Sequence, residues 1–230
     1  MNFQRFHETW FYQLSQLVHQ LRQAPTPPIT DEHRHQLSQL VQTVVSHYAD
    51  YYRAKSAAAK IDVLAFFPAP PWTTALERSL MWIGGCRPTT AFHLIYTECS
   101  ILFESHVVHF LRGLHTGDLG DISLAQFHRV SELQIETVQQ EDGITHELFD
   151  WQDDASDIVG LGYGDNSIAR NMERLAEILE SADRLRLRTI KSVVELLTTQ
   201  QAAQFLVATA ELHFGIRGWG IQHDCRRGVR

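Results

Sequence analysis

Cysteine is scarce: Cys86, Cys99 and Cys225 lie far apart in a chain of 230 residues. Neither a disulfide framework nor a cysteine-built zinc knuckle is expected, and a reducing compartment, cytosol or nucleus, fits the composition. No uninterrupted apolar run approaches the roughly 20 residues that cross a bilayer. The start from Met1 to Trp10 mixes Arg5, His7 and Glu8 among aromatics, so neither a leader nor a membrane contact is expected. Basic residues are outnumbered, 20 against 27 acidic, for a net charge of -7, which argues against a whole-surface grip on nucleic acid. Runs that alternate strictly over strand length are missing as well. So are the H-E-x-x-H, G-x-S-x-G and dinucleotide-binding patterns.

What is present is helical periodicity. Phe3, Phe6, Trp10, Leu14, Leu17 and Leu21 recur at steps of three and four and predict an amphipathic first helix. Pro25, Pro27 and Pro28 make a connector of residues 24–30, after which Thr30 caps a long second helix through Leu37, Val41, Val44, Tyr48 and Tyr51 to the alanines at 57–59. That helix stops before Pro68. Thr74 and Glu77 have capping-box spacing and open a short helix that Gly84 and Gly85 end, with Pro88 in the first turn of the next.

A fourth helix carries Phe92, Ile95, Cys99 and Leu102 and runs out near Gly113 and Gly117. A fifth opens at a Ser123/Gln126 capping box and holds Phe127, Val130, Ile144, Leu148 and Trp151, with Gly143 weakening its middle. Residues 160–166 contain Gly160, Gly162 and Gly164 and are expected to form a mobile loop. A sixth helix through Met172, Leu175, Leu179, Ala182 and Leu185 closes near Thr198. Thr198 and Gln201 then cap a last helix striped by Ala202, Phe205, Thr209, Leu212, Ile216 and Trp219. The expected architecture is an all-α bundle of about seven helices, several long and antiparallel, in a single domain spanning residues 1–230.

Chemistry is harder to find. Of 13 histidines, His106 and His109 are three apart on a helix, a spacing that turns two rings toward one metal, but no H-E-x-x-H motif accompanies them. Asp153, Asp154 and Asp157 read as a solvated acidic helix end. Cys86 follows Gly85 without a sequence partner that would mark it as a nucleophile. Trp72, Trp82, Trp151 and Trp219 read as packing aromatics. No catalytic site and no metal site is expected. Trp10, Phe11 and Tyr12 are expected to be exposed and, with Phe6, to dock a partner helix or groove.

Several stretches together resemble the plant Delay of Germination (DOG) domain, which also forms the C-terminal half of TGA-type bZIP transcription factors. They are HYADYYRAKSAAAK from His47 to Lys60, WTTALERSLMWIGGCR from Trp72 to Arg87, then Pro88 to Tyr96, RGLHTGDLGDISLAQFHRVSEL from Arg112 to Leu133, the ADRLR run from Ala182 to Arg186, and LLTTQQAAQF from Leu196 to Phe205. With Phe6 to Trp10 the resemblance covers nearly the whole chain and is nearest to stand-alone DOG-like proteins. It implies a non-catalytic regulator of seed dormancy or development, abscisic-acid signalling or transcription. Such a regulator works through contacts with proteins such as 2C-type phosphatases or transcription regulators. The bZIP segment is expected to be absent, so direct DNA contact is not expected. The family resemblance also implies haem binding through two histidines four apart in the last helix. His213 stands at the first place and Arg217 at the second. A guanidinium has no lone pair for iron, so His213 is the single candidate ligand. The alternative function is a sensor holding haem or a lipid-like molecule between helices.

Overall fold

The computed structural model describes residues 3–161 and 165–228, the side chains of 156–161, 165 and 166 excepted. Among the described residues there are seven α-helices and no strand. These are α1 (Phe3–Gln23), α2 (Asp31–Ala59), α3 (Ala75–Ser79), α4 (Thr90–Leu111), α5 (Leu124–Leu161), α6 (Asp165–Leu196) and α7 (Thr199–Arg226). The sequence-predicted all-α bundle is therefore the fold. Of the expected glycine loop at 160–166, residues 160 and 161 belong to α5 and 165 and 166 to α6. Residues 162–164 lie outside the described residues.

Three predicted helix starts form as capping boxes. Thr74 accepts from the Glu77 amide while Glu77 accepts from that of Thr74, and Thr198 and Gln201 do the same. Ser123 and Gln126 form the third pair, and the Gln126 side chain then donates to Leu196 O at 3.1 Å and to Gln201 Oε1 at 2.8 Å. The starts of α5 and α7 are thus tied to each other and to the end of α6, so each cap satisfies orphan helix amides and also fixes a tertiary position. α5 and α6 run antiparallel. Trp151 Nε1 donates to Asn171 O, and Asp154 pairs with Arg174 on the same ladder that places Gln126 against Leu196.

The buried stripe of α1 is Phe3, His7, Trp10, Leu14, Val18 and Leu21. Phe6 and Leu17, expected on it, are half-buried flanks of the face that α1 packs against α2 and α7. Trp10 corrects a second expectation. It is 5% exposed, it stacks on His47 at 5.0 Å between ring centres, and its Nε1 donates to His47 O at 2.9 Å. An indole whose N–H finds a partner inside is a core residue, so Trp10 is not an exposed docking residue. The last helix also departs from its expected stripe. Beyond Ala210 the buried positions are Gly220 and Asp224, while Trp219 is 56% exposed. Contact with α3 decides this. A Cβ on Gly220 would meet Thr74 Oγ1 at 2.2 Å, so the glycine face must point at α3 and Trp219 turns outward.

α3 ends at Ser79, well before the expected stop at Gly84 and Gly85. Residues 82–85 instead form a tight hairpin in which Trp82 and Gly85 exchange both backbone hydrogen bonds. Its two central residues, Ile83 (φ 46°) and Gly84 (φ 69°), both have positive φ, as the tightest two-residue hairpin turn requires. Such a φ is costly for a β-branched residue, and side chains from elsewhere hold it in place.

The start of α4 also depends on a distant residue. Pro88 lies two residues before the helix, and the N-cap Thr89 makes no side-chain cap bond. Buried Glu141 of α5 does that work: it accepts from Thr89 N at 2.7 Å, from Thr89 Oγ1 at 3.2 Å and from Arg87 Nη1 at 3.3 Å.

Candidate functional site

Two apolar clusters make up the core. One gathers Leu14, Leu37, Tyr48, Phe92, Ile95 and Phe205. The other gathers Phe3, Phe66, Trp82, Leu175, Leu179 and Leu185. Between them a cavity of about 140 Å³ opens, bordered by Trp10, Tyr48, Tyr51, Trp72, Cys86 and His213 among others. Its walls come from α1, α2, the 82–85 hairpin and its flank, α6 and α7, so no single stretch of sequence contains it.

Three buried charges hold the hairpin against the bundle. Asp183 of α6 accepts on Oδ1 from Lys55 Nζ of α2 at 3.0 Å and from Arg186 Nη1 at 2.5 Å. Lys55 also donates to Gly84 O at 2.8 Å. Arg186 donates to the carbonyls of Trp82, of Ile83 at 3.0 Å and of Cys86 at 2.7 Å. Two cations around one carboxylate thus hold four backbone carbonyls of the turn, those of Trp82, Ile83, Gly84 and Cys86, and these bonds retain the positive φ at Ile83. Close approach requires both glycines: a Cβ on Gly84 would meet Leu179 Cδ1 at 2.7 Å, and one on Gly85 would meet the Arg186 guanidinium at 3.0 Å. Burial pulls the Lys55 ammonium below its ordinary value, against the attraction of Asp183.

Held this way, the hairpin delivers Cys86 to α7. Its Sγ lies 3.3 Å from His213 Nε2. Although protein crowds the pair, Cys86 is exposed and His213 half-buried, and both line the cavity. Burial pushes the thiol up, but the charge and hydrogen bond of His213, with Arg186 behind, outweigh it and hold Cys86 down to about 7. Burial pushes His213 the opposite way and loses to Cys86, so the imidazole titrates above its usual value. Near neutrality the pair is poised between thiol with imidazole and thiolate with imidazolium. The sequence reading found no partner for Cys86, and 127 positions separate it from His213. The WIGGCR stretch was legible as a family motif; its chemistry was not.

His213 was the haem candidate. Its Nε2 is directed at Cys86, and Arg217 is paired with Glu77 at 3.4 Å and lies over the Phe11 ring at 5.3 Å. A cavity of about 140 Å³ is well below the roughly 300–1,000 Å³ of pockets that enclose drug-sized ligands. The residues present do not fit a haem. Among the described residues no group of three His, Cys, Asp or Glu side chains is placed to hold a metal. His106 and His109 lie with ring centres 5.7 Å apart, and His106 Nδ1 is 3.2 Å from Asp118 Oδ2.

The docking candidates separate. Phe6 and Phe11 are half-buried, Phe11 packing edge-on against Phe214 at 5.0 Å, whereas Tyr12 is exposed. A larger apolar surface lies elsewhere, on the C-terminal half of α4. There Ile101, Phe103, Val107, Val108 and Leu111 face solvent, continued by Leu114. Only Ala91, Phe92 and Ile95 of that helix are buried.

Comparison with known proteins places this arrangement. The family model described as "DOG1: Seed dormancy control" matches residues 13–97. Protein DOG1-like 2 of Arabidopsis thaliana is 30% identical over 207 residues, covering 84% of this chain and 81% of that protein. Protein DOG1-like 3 of the same plant is 29% identical over 212 residues, covering 84% and 75%. Transcription factor TGA1, also from Arabidopsis thaliana, is 29% identical over 200 residues, covering 82% of this chain and 49% of the factor. An all-α bundle carrying these likenesses over most of its length identifies the chain as a member of the DOG1 seed dormancy control family.

Proposed function

We propose that this chain is a non-catalytic regulatory protein of plants, acting in seed dormancy, abscisic-acid signalling or transcription control through contacts with other proteins. The relatives support a regulatory setting, since the matches are named as DOG1-like proteins and as transcription factors. The observation that carries the mode of action is the solvent-facing apolar surface of α4, where Leu111 is 83% exposed and Phe103 and Phe110 stack on the outside at 5.3 Å. Apolar residues clustered on a surface, rather than scattered, are the usual mark of a protein contact. Partners of the proposed kind are 2C-type phosphatases and transcription regulators, met in the nucleus or cytoplasm.

The test is binding of the purified chain to immobilised 2C-type phosphatases and TGA-type factors, with and without the double change Val108→Glu and Leu111→Glu. Both positions are exposed, so the melting temperature should hold while binding falls at least tenfold. Binding to neither class, or binding indifferent to two charges on that face, refutes the reading.

The aromatic cavity favours a second reading, a sensor holding a small apolar molecule. Native mass spectrometry of protein purified from a plant host would reveal a retained mass. A mass equal to the bare chain under conditions that preserve a known lipid complex argues against it.

A further inference from the structure

We propose that Cys86 and His213 form a nucleophile and proton-donor pair that captures small α,β-unsaturated carbonyl compounds as covalent adducts in the cavity between the two core clusters. The proposal goes beyond the regulatory reading and does not depend on the α4 surface.

Four observations carry it. The sulfur and the imidazole nitrogen are 3.3 Å apart, within reach for proton exchange. The sulfur borders a cavity to which Trp10, Phe11, Tyr48, Tyr51, Tyr52 and Trp72 contribute rings beside the charged Lys55, Glu77, Asp183 and Arg186, a wall that suits a carbon-rich reactant bearing one polar group. The hairpin is fixed from below by Lys55 and Arg186, so the sulfur is held in place rather than swinging on a loop. Lastly, Tyr48 Oη, Asp183 Oδ2 and His7 Nδ1 belong to residues that border this cavity, each at least nine-tenths buried, and none has a hydrogen-bond partner. Buried polar atoms are rarely left unpaired. A hydroxyl kept protonated by its burial, as Tyr48 is, keeps an unspent donor in the cavity's wall.

The step balances without an external reactant. The Cys86 thiolate attacks the β-carbon and forms the S–C bond. The C=C π pair moves to the α-carbon and carbonyl oxygen, where Tyr48 hydrogen-bonds the developing charge. The His213 imidazolium gives its proton to the α-carbon. Cys86 ends as a thioether, His213 as neutral imidazole, and nothing is oxidised or reduced.

The ionisable groups facing the thiol are Tyr48, Tyr51, Tyr52 and Lys55 from α2, Asp183 and Arg186 from α6, and His213 from α7, with Glu77 of α3 acting on His213. His213 is the one among them that bonds the sulfur directly. At pH 7 a thiol held to about 7 is half ionised, against roughly 3% for an ordinary thiol near 8.5. That is about 16-fold more thiolate, offset about fivefold by the weaker nucleophilicity of a more acidic thiol. A net advantage of about threefold remains before the proton donor acts.

The test treats the full chain with 2-cyclohexen-1-one from pH 5.5 to 9.5, following the rate by intact mass and the site by peptide mass spectrometry. Cys99 and Cys225 serve as references within the same molecule. The adduct is expected on Cys86 first, with a midpoint near 7 and at least a threefold advantage over exposed Cys225 at pH 7. Cys86→Ser should remove it. His213→Gln should raise the midpoint toward 8.5 and slow the reaction at pH 7 at least threefold. Tyr48→Phe should slow it at an unchanged midpoint, which a merely structural role would not produce. Reaction at Cys86 no faster than at Cys225 overturns the proposal, and this comparison needs no variant to fold. An unmoved midpoint in folded His213→Gln overturns it as well.

Discussion

Removing the Asp183 carboxylate leaves two buried cations facing each other. Lys55 is 1% exposed and Arg186 4%, and Asp183 Oδ1 is the anion that both contact. Breaking a buried pair by deleting one partner typically costs about 3–5 kcal/mol. Asp183→Ala strands two charges, so a loss of about 4–5 kcal/mol is expected. For a domain of this size that is roughly 8–20 °C in melting temperature. Lys55→Met should cost less, because Asp183 keeps Arg186 and the thioether suits an apolar wall. The double variant should be more stable than Asp183→Ala alone, since it strands one cation instead of two.

The pH dependence gives a sharper check. Burial already lowers Lys55, and losing Asp183 removes the attraction that opposed this, so in Asp183→Ala the ammonium titrates lower still. A folded-state value below the unfolded one means that the unfolded chain holds more protons. Stability of the variant, relative to wild type, therefore rises as pH climbs from 7 toward 10, while the guanidinium stays charged. Urea melts followed by circular dichroism at pH 7, 8.5 and 9.5 measure both effects. A loss under 1 kcal/mol, or a penalty flat across that pH range, would refute the idea that these charges hold the hairpin.

The other expectations are simpler. His7 is buried and held down to about 4, first by burial and then by Arg217, so stability should be complete above pH 6.5 and decline by about 3 kcal/mol as pH falls toward 4. His7→Phe should flatten that acid limb in urea melts, and a wild-type curve already flat from 6.5 to 4 would exclude the burial argument. Gly220→Ala, whose Cβ would strike Thr74, should lower stability by about 1–3 kcal/mol despite the better helix former. Gly215→Ala, with nothing within 4 Å, should raise it by about 0.5–1 kcal/mol; equal shifts in thermal melts for the two would contradict the close α3–α7 contact.

The three capping boxes, the helix count and the proline connector were legible because each is a local rule: a side chain meets an amide three residues on, and an apolar face repeats every three or four. The short α3 was misread because Gly84 and Gly85 end no helix; they serve a hairpin whose approach to Leu179 and Arg186 is invisible in order of residues. Trp10 was misread for a related reason. Hydropathy marks an aromatic as apolar but cannot say whether its indole N–H will find a buried carbonyl such as that of His47. Trp219, expected on the buried stripe, turned outward and Gly220 inward because a steric contact with Thr74, more than 140 residues away, outranks a hydrophobic stripe.

Sequence alone therefore determined an all-α bundle, its helix starts and its family resemblance, since periodicity and capping act within a few residues. Tertiary structure alone decided that Lys55, Asp183 and Arg186 share one buried cluster, and that Cys86 meets His213. Electrostatic pairing and proton transfer depend on separations of about 3 Å, and a linear order of residues carries no distances between helices.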